Sequence, residues 1–344
     1  MIFQEISNHS FNGLTVNSHP EFQHEKVYLY EDSAINMRSI VAIHSTKLGP
    51  AIGGCRFQNY NNFLDGLNDV LRLSRGMTEK NIAANLPFGG GKAVIFANNI
   101  QKTDELLKSF ADFLNLIGGD YLSAEDIGIS LEDIKTVGKF SRHVFDNVDP
   151  SSYTAKGIFY AIERVLTTHD TSLKNAIIGI QGAGNVGLKL ANLLLEQGSS
   201  VYISDTNQDK LLQATRLGCI NSNDIFSEKI DVFSPCAVGG ILNEANISKL
   251  KAKFIIGGAN NQLLNPKSDL LLHNKNIIYI PDAMINAGGV IGLTKDVLNR
   301  NEEDLDQELR SIGTRVENLL RRSNELNTTP YQVFIKEVLT SSFQ

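Results

Sequence analysis

Three glycines and one aspartate carry the most specific chemical spacing in the chain. Gly182, Gly184 and Gly187 form G-x-G-x-x-G between an apolar run, NAIIGIQ, and a helical pattern over 184–197. The next apolar run, SVYISD, ends in Asp205. Gly182 permits a tight turn, Gly184 lets backbone approach a pyrophosphate, and Gly187 lets the helix pack close to the strand. Ala183, Asn185 and Val186 complete that turn. The helix N-terminus offers free N–H groups and partial positive charge to phosphates, and Asp205 can accept both hydroxyls of an adenosine ribose. Thr206, Asn207 and Gln208 follow, with no arginine to receive a 2′-phosphate. The pattern predicts NAD as cofactor in preference to NADP. The plain alternative is a glycine turn in a ligand-free sheet, with Asp205 capping a loop.

A second stretch, NLPFGGGKAVI, sets Gly89, Gly90 and Gly91 before Lys92. A phosphate-binding loop of the G-x-x-x-x-G-K-[ST] kind is excluded, because Leu86 and Ala93 stand where it needs a glycine and a hydroxyl. Lys80 and Lys92 flank this stretch, and SAEDIG supplies Glu125 or Asp126. Two lysines facing one pocket each raise the cost of charging the other. One can then hold an anion while the other works as a base near neutral pH. Spacing alone leaves each of these residues equally readable as a solvated surface charge.

The elements that must position these groups fall into two halves. Residues 26–45 give two β-rich runs around Glu31–Ser33, the pattern of an antiparallel hairpin. Phe63, Leu64, Leu67, Val70 and Leu71 recur at helical spacing and lead toward Lys80. KAVIF is expected as a strand, and Thr103 and Gly118 as the start and stop of a helix. From Asn175 short strands alternate with helices, the signature of a parallel sheet covered on both faces. The chain is thus expected to be α/β with two domains. Residues 1–149 form a mixed-sheet substrate domain, and residues 150–319 a doubly wound, Rossmann-type dinucleotide-binding domain opened by a helix over 154–168. Residues about 320–344 are expected to rejoin the first domain. Leu305, Leu309, Ile312, Val316, Leu319 and Leu320 make one stripe, suited to crossing back or to an oligomer interface.

Composition narrows the class. The 344 residues carry a net charge of −6, which argues against a general nucleic-acid binder. Cys55, Cys219 and Cys236 are far apart and odd in number, so neither a disulfide framework nor a cysteine zinc site is signalled. No metal-ligand cluster is spaced in the sequence. The N-terminus has no basic region before a long apolar core, and no apolar run is long enough for a membrane span. A cytoplasmic protein is expected, with no membrane partner.

Ordered stretches carry a family resemblance: LGPAIGG, RGMTEKNIAANLPFGGGKAVI, SAEDIG, TAKG, GIQGAGNVG, FSPCAVGGILN, GGANNQL and PDAMINAGGVI. They resemble the leucine, valine and phenylalanine dehydrogenases, a branch of the amino-acid dehydrogenases that includes glutamate dehydrogenase, and look most like the leucine enzymes. The resemblance implies a reversible NAD-dependent oxidative deamination of an L-amino acid to a 2-oxo acid and ammonia. It matches Lys80 to the substrate-carboxylate lysine, Lys92 to the catalytic lysine that activates water, and Asp126 to the aspartate that exchanges protons with nitrogen. Gly53 and Gly54 match glycines lining the substrate end of a cleft between domains, and Thr154 a threonine near the nicotinamide amide. Cys236, Ala237 and Asn261 fall in cofactor-lining segments; Cys236 reads equally as a small buried residue. On this basis Gly89–Gly91 leave space where substrate and nicotinamide approach the backbone. A homo-oligomer is implied.

The same resemblance assigns the side-chain pocket to Ile52, Ala124, Val290 and Leu293, all apolar. Glutamate is thereby disfavoured, and leucine, valine or isoleucine is the expected substrate, with phenylalanine as the alternative. Ala283 and Asp149 depart from residues common in relatives, and NLPFGGGK resembles some phenylalanine enzymes. A non-catalytic NAD-binding regulator of the same fold is opposed by the joint presence of Lys80, Lys92 and Asp126. A 2-hydroxy-acid dehydrogenase is opposed by the lack of a placed His–acid pair.

Overall fold

The two β-rich runs of residues 26–45 close into the hairpin that anchors the first of two large sheets. The computed structural model describes residues 1–11, 14–16 and 23–339. The chain divides into two units, Met1–Val148 and Asp149–Gln344.

The first unit begins with β1 (Ile2–Glu5) and a small ribbon of β2 (Ser10–Phe11) and β3 (Leu14–Thr15). It continues through β4 (Lys26–Asp32), β5 (Met37–Ser45), β6 (Ala51–Gln58), α1 (Phe63–Ala83) and β7 (Gly89–Phe96). It ends with α2 (Asp104–Ile117), β8 (Tyr121–Ala124) and α3 (Leu131–Gly138). The sheet order is β1-β4-β5-β7-β6-β8. The hairpin pairs Glu31 with Arg38 and Asp32 with Met37. β7 runs parallel to β6, and so does β8, giving the expected mixed sheet. Both faces are covered, because alternate residues of β5 enter different cores. Val41 and Ile43 pack with Phe110, Phe113 and Leu114 of α2, whereas Ile40 and Ala42 pack with Leu67, Val70 and Leu71 of α1. Thr103 caps α2 by accepting the Leu106 amide, and left-handed Gly118 ends it, as their residue types predict.

The glycine triplet is not a loop; it is the first half of strand β7. A Cβ on Gly89 would sit 1.8 Å from the Ser45 carbonyl oxygen, and one on Gly90 2.1 Å from the Thr78 amide nitrogen. A Cβ on Gly91 would meet the Tyr121 ring at 2.6 Å. The expectation that these glycines leave room for ligands is therefore corrected. The room is taken by the protein's own chain, which lets β7 press against α1 and its neighbouring strands.

The second unit opens with α4 (Pro150–Thr168), four residues earlier than its apolar pattern suggests. Asp149 accepts the Ser151 amide as N-cap and Pro150 takes the first helical position, where no amide is needed. A 3-10 turn (Leu173–Asn175) leads to β9 (Ile177–Gln181), α5 (Asn185–Glu196), β10 (Ser200–Ser204), α6 (Gln208–Leu217) and β11 (Ile220–Asn221). Then come β12 (Val232–Pro235), α7 (Glu244–Lys249), β13 (Phe254–Ile255), α8 (Lys267–Asn274) and β14 (Ile278–Tyr279). These strands form an all-parallel sheet in the order β11-β10-β9-β12-β13-β14, with its reversal at β9 and β12. That is the doubly wound arrangement the alternating pattern predicts.

The chain closes with α9 (Asp282–Ile285), α10 (Gly288–Leu293), α11 (Glu302–Leu326), α12 (Pro330–Val333) and a π-helical turn (Phe334–Leu339). The apolar stripe of α11 packs on α4, where the Tyr160 hydroxyl also donates to Asp306 at 2.7 Å. From the sequence, residues 320–344 are expected to rejoin the first domain. Their described part, through 339, instead satisfies groups of the second unit. The Thr329 hydroxyl donates to buried Asp269 at 2.6 Å, and Tyr331 lies against Tyr279. Residues 340–344 lie outside the described residues.

Candidate active site

The first candidate centre is built by sheet register. β8 runs parallel beside β6 with Ala124 opposite Gly54. Two residues further along each chain stand Arg56 and Asp126. Gly54 is needed there: a Cβ would meet the Glu125 carbonyl oxygen at 2.5 Å and the Asp126 Cβ at 2.9 Å. β7, on the other side of β6, contributes Lys92. Its side chain is buried, 8% exposed, and its ammonium pairs with Asp126 Oδ2. Arg56 Nε reaches the same oxygen at 3.3 Å, and the Ile127 amide donates to Oδ1 at 2.7 Å. Burial works to raise the Asp126 pKa. The Lys92 and Arg56 charges outweigh it, with help from the Lys92 and Ile127 hydrogen bonds, and bring it down to about 2. The site is a carboxylate fixed in its ionised form beside a buried amine, an arrangement suited to passing protons between oxygen and nitrogen.

Gly53, opposite Ser123, has its carbonyl held by the buried Tyr121 hydroxyl at 2.8 Å. Ile52 and Ala124 are buried on β6 and β8. Lys80 is half-buried in the last turn of α1, the helix that packs on β7.

The second centre lies in the second unit, at the ends of β9 and β10. Gly182 turns with φ +108°, and a Cβ on Gly187 would sit 1.9 Å from the Gly182 carbonyl oxygen. Gly184 is the N-cap of α5 and supplies no side-chain bond to the first helical amides; a Cβ there meets nothing within 4 Å. Asp205 accepts the Ala183 amide at 2.7 Å and the Asn207 amide at 2.9 Å. Burial would raise its pKa, but those bonds and Lys210 lower it, so it too is ionised. Gly182, Asp205, Thr206 and Ala237 line one cavity of 410 Å³ with Asp224, Ile225, Phe226 and Val238.

The other expected residues are spread more widely. Thr154 donates to the Pro150 carbonyl at 2.9 Å, and a Cβ on Gly258 would lie within 4 Å of both Thr154 and Val186, the latter in the first turn of α5. Asn185 is exposed on that turn. Cys236, half-buried, donates its amide to the Gln181 carbonyl at 2.7 Å, and burial pushes its thiol up. Asn261, exposed at φ 52°, donates its amide to Asp282 at 2.9 Å. Neither Cys236 nor Asn261 lines the cavity beside Asp205. Val290 is buried and Leu293 half-buried, both on α10.

Comparison with known proteins identifies what these centres belong to. The family model described as the Glu/Leu/Phe/Val dehydrogenase dimerisation domain matches residues 23–148. The Glutamate/Leucine/Phenylalanine/Valine dehydrogenase model matches residues 149–209 and 204–337. The chain belongs to the Glu/Leu/Phe/Val dehydrogenase family. It is 38% identical over 302 residues to an L-tryptophan dehydrogenase of Nostoc punctiforme, covering 85% of this chain and 86% of that protein. It is 34% identical over 323 residues to a leucine dehydrogenase of Geobacillus stearothermophilus, covering 90% and 88%. The crystal structure of the Nostoc punctiforme enzyme superposes with a TM-score of 0.80 at 35% identity, over 94% of this chain and 98% of that one.

The protein is thus an amino-acid dehydrogenase, an oxidoreductase acting on a CH–NH2 group; members of its family are NAD(P)-dependent, which supports NAD as a cofactor. The second centre fits a dinucleotide on its own geometry. It combines an uncapped helix start, open space at Gly184 and an ionised carboxylate at the next strand end beside a partly apolar cavity. Among the described residues, no helix is long and apolar enough to cross a membrane. Three groups of the dehydrogenase's first unit escape sequence reasoning: Arg56, Tyr121 and Asn81, whose Nδ2 donates to the Gly89 carbonyl. The available signal for Arg56 is its place two residues beyond Gly54, on the strand that also carries Gly53.

Proposed function

We propose that this chain is an NAD-dependent dehydrogenase of a branched-chain aliphatic L-amino acid, working reversibly to give the 2-oxo acid and ammonia. Residues 1–149 hold the amino acid and residues 150–319 the cofactor. The observation that carries this reading is the pairing of buried Lys92 with half-buried Asp126, on a sheet whose strands β6 and β8 also carry buried apolar Ile52 and Ala124.

Lys80 pairs with the substrate carboxylate. Asp126 accepts a proton from the substrate ammonium, freeing the nitrogen lone pair. When bound, the nicotinamide serves as the two-electron acceptor. Lys92, acting as the neutral amine, takes a proton from the water that attacks the resulting iminium carbon, and the ammonium so formed stabilises the oxygen that develops. Asp126 returns a proton as ammonia leaves. A carboxylate as acidic as resting Asp126 is a weak base. Its proton affinity rises when Lys92 turns from it to water, because the largest charge holding it down is withdrawn.

The apolar character of Ile52, Ala124, Val290 and Leu293 supports an uncharged side chain over that of glutamate. Ile52 and Val290 favour aliphatic over aromatic substrates. The Asp205 cavity is lined by two carboxylates, Asp205 and Asp224, and by no lysine or arginine, which favours ribose hydroxyls over a 2′-phosphate. We also propose a cytoplasmic homo-oligomer. Three unpaired cysteines and a first unit that matches a dimerisation-domain model support it.

The test is NADH absorbance with leucine, valine, isoleucine, phenylalanine, tryptophan and glutamate, first with NAD and then NADP. The highest kcat/KM is expected for an aliphatic amino acid with NAD. A clear preference for phenylalanine or tryptophan, whose dehydrogenases are comparably similar relatives, overturns the substrate assignment. No turnover with any of them supports a non-catalytic NAD-binding regulator.

A further inference from the structure

Arg56 has no assigned part in the reaction, yet it is wedged between two carboxylates. Its side chain is 15% exposed. Nε reaches Asp126 Oδ2 at 3.3 Å, while Nη1 reaches Asp69 Oδ2 at 2.9 Å. Asp69 is itself held from three sides. The Tyr60 hydroxyl donates to its Oδ2 at 2.9 Å, Arg72 Nη2 donates to its Oδ1 at 3.0 Å, and Arg56 completes the set. Burial and the neighbouring Asp69 push the Tyr60 phenol up, so it stays a hydrogen-bond donor. The result is an alternating row of charges, Lys92, Asp126, Arg56, Asp69 and Arg72, running from the buried amine to the exposed face of α1.

We propose that Arg56, anchored by Asp69 and Tyr60, is a positioning residue that orients the Asp126 carboxylate beside Lys92. The proposal rests on the dehydrogenase reading above. A carboxylate held by one partner can rotate about its own axis. Asp126 takes Lys92 and Arg56 on one oxygen and the Ile127 amide on the other, which fixes its plane. Arg56 in turn cannot swing, because a second nitrogen is tied to Asp69. Two separate nitrogens in a rigid fork are what span two carboxylates. A lysine ammonium presents its donors from a single nitrogen on a flexible stem and does not reproduce the fixed orientation of that fork. Besides Lys92 of β7 and Arg56 of β6, the Cys55 thiol of β6 and the Tyr121 phenol of β8 also face Asp126, and both are kept neutral by burial. Asp69 of α1 lies beyond Arg56. Among the described residues, Arg56 is a second cation, beside Lys92, whose charge helps to hold Asp126 ionised.

The experiment compares wild type with Arg56→Gln, Arg56→Lys and Asp69→Asn, each checked for folding by circular dichroism. The readouts are kcat and KM for the best amino acid and the pH dependence of kcat/KM. Arg56→Gln removes the charge. The acid limb of kcat/KM is expected to move up by about one pH unit, and kcat to fall about tenfold. Arg56→Lys keeps the charge and is expected to restore most of the limb but little of kcat. Asp69→Asn leaves the Arg56 charge in place and loosens its anchor. Its kcat is expected to fall several-fold with KM and the acid limb unchanged. Folded Arg56→Gln with a wild-type pH profile and kcat overturns the proposal. If Arg56→Gln fails to fold, wild-type kcat in both Arg56→Lys and Asp69→Asn overturns it instead. A wild-type protein that turns over no amino acid sinks the dehydrogenase reading itself, a different outcome from an active enzyme indifferent to Arg56.

Discussion

The Asn81 side-chain amide donates to the Gly89 carbonyl at 2.6 Å, tying the helical turn that carries Lys80 to the start of the strand that carries Lys92. Asn81 is fully buried, and its backbone carbonyl also accepts the Leu86 amide that turns the chain between helix and strand. Asn81→Ala removes the link and leaves a buried carbonyl short of a donor. It is expected to lower stability by about 1–3 kcal/mol and to depress kcat/KM beyond any effect on NAD binding. Urea unfolding and steady-state kinetics on one preparation check both. Unchanged kinetics at lower stability would leave Asn81 a purely structural bond.

Lys92→Ala deletes the buried amine from its pair with Asp126. NADH production from the preferred amino acid is expected to fall by about a thousandfold or more. NAD affinity, followed by fluorescence titration, is expected to stay near wild type, because the Asp205 cavity lies in the other unit. A variant that keeps full turnover removes Lys92 from the mechanism.

The glycines of the cofactor turn separate packing from binding. A Cβ at Gly187 strikes the Gly182 carbonyl oxygen, whereas Gly184 is open and has φ −81°, which alanine adopts readily. Gly187→Ala is expected to lower the melting temperature by several degrees, for a loss of about 1–3 kcal/mol. Gly184→Ala is expected to leave the melting temperature within about one degree and to weaken NAD binding at least tenfold. Undiminished NAD affinity in Gly184→Ala counts against the phosphate assignment.

His44 makes stability fall with acid. Burial, then the nearby His24 and Arg75 charges, push its imidazole down to about 3, and its Nδ1 is 2.9 Å from the Thr78 hydroxyl. In the unfolded chain it takes up a proton near pH 6.5. Between those values the unfolded state binds more protons, so stability drops as pH is lowered from about 6.5 toward 3, by about 1.4 kcal/mol per pH unit at most. Thermal melts across this range compare wild type with His44→Asn, which keeps a polar atom near the Thr78 hydroxyl. The variant is expected to lose less stability on acidification, and parallel pH curves refute the assignment.

Local chemistry was legible in the chain itself. The Gly182–Gly187 turn, the hairpin of β4 and β5, the Thr103 and Gly118 caps and the parallel second sheet follow from backbone geometry and spacing. Those depend on residues a few positions apart. The start of α4 escaped, because Asp149 and Pro150 set it from outside the apolar pattern. The glycine triplet was misread because the atoms that crowd it, from Ser45, Thr78 and Tyr121, come from other elements.

The residue types alone decided that this chain winds a parallel dinucleotide-type sheet and carries lysines and acids in recognisable stretches. Which of those charges meet was decided by strand order. Only because β6 lies between β7 and β8 do Lys92, Arg56 and Asp126 converge, and only the fold of α1 across the sheet brings Asp69 to Arg56. An ion pair between strands depends on which strands are neighbours and on their register, and the spacing of residues along one strand holds neither.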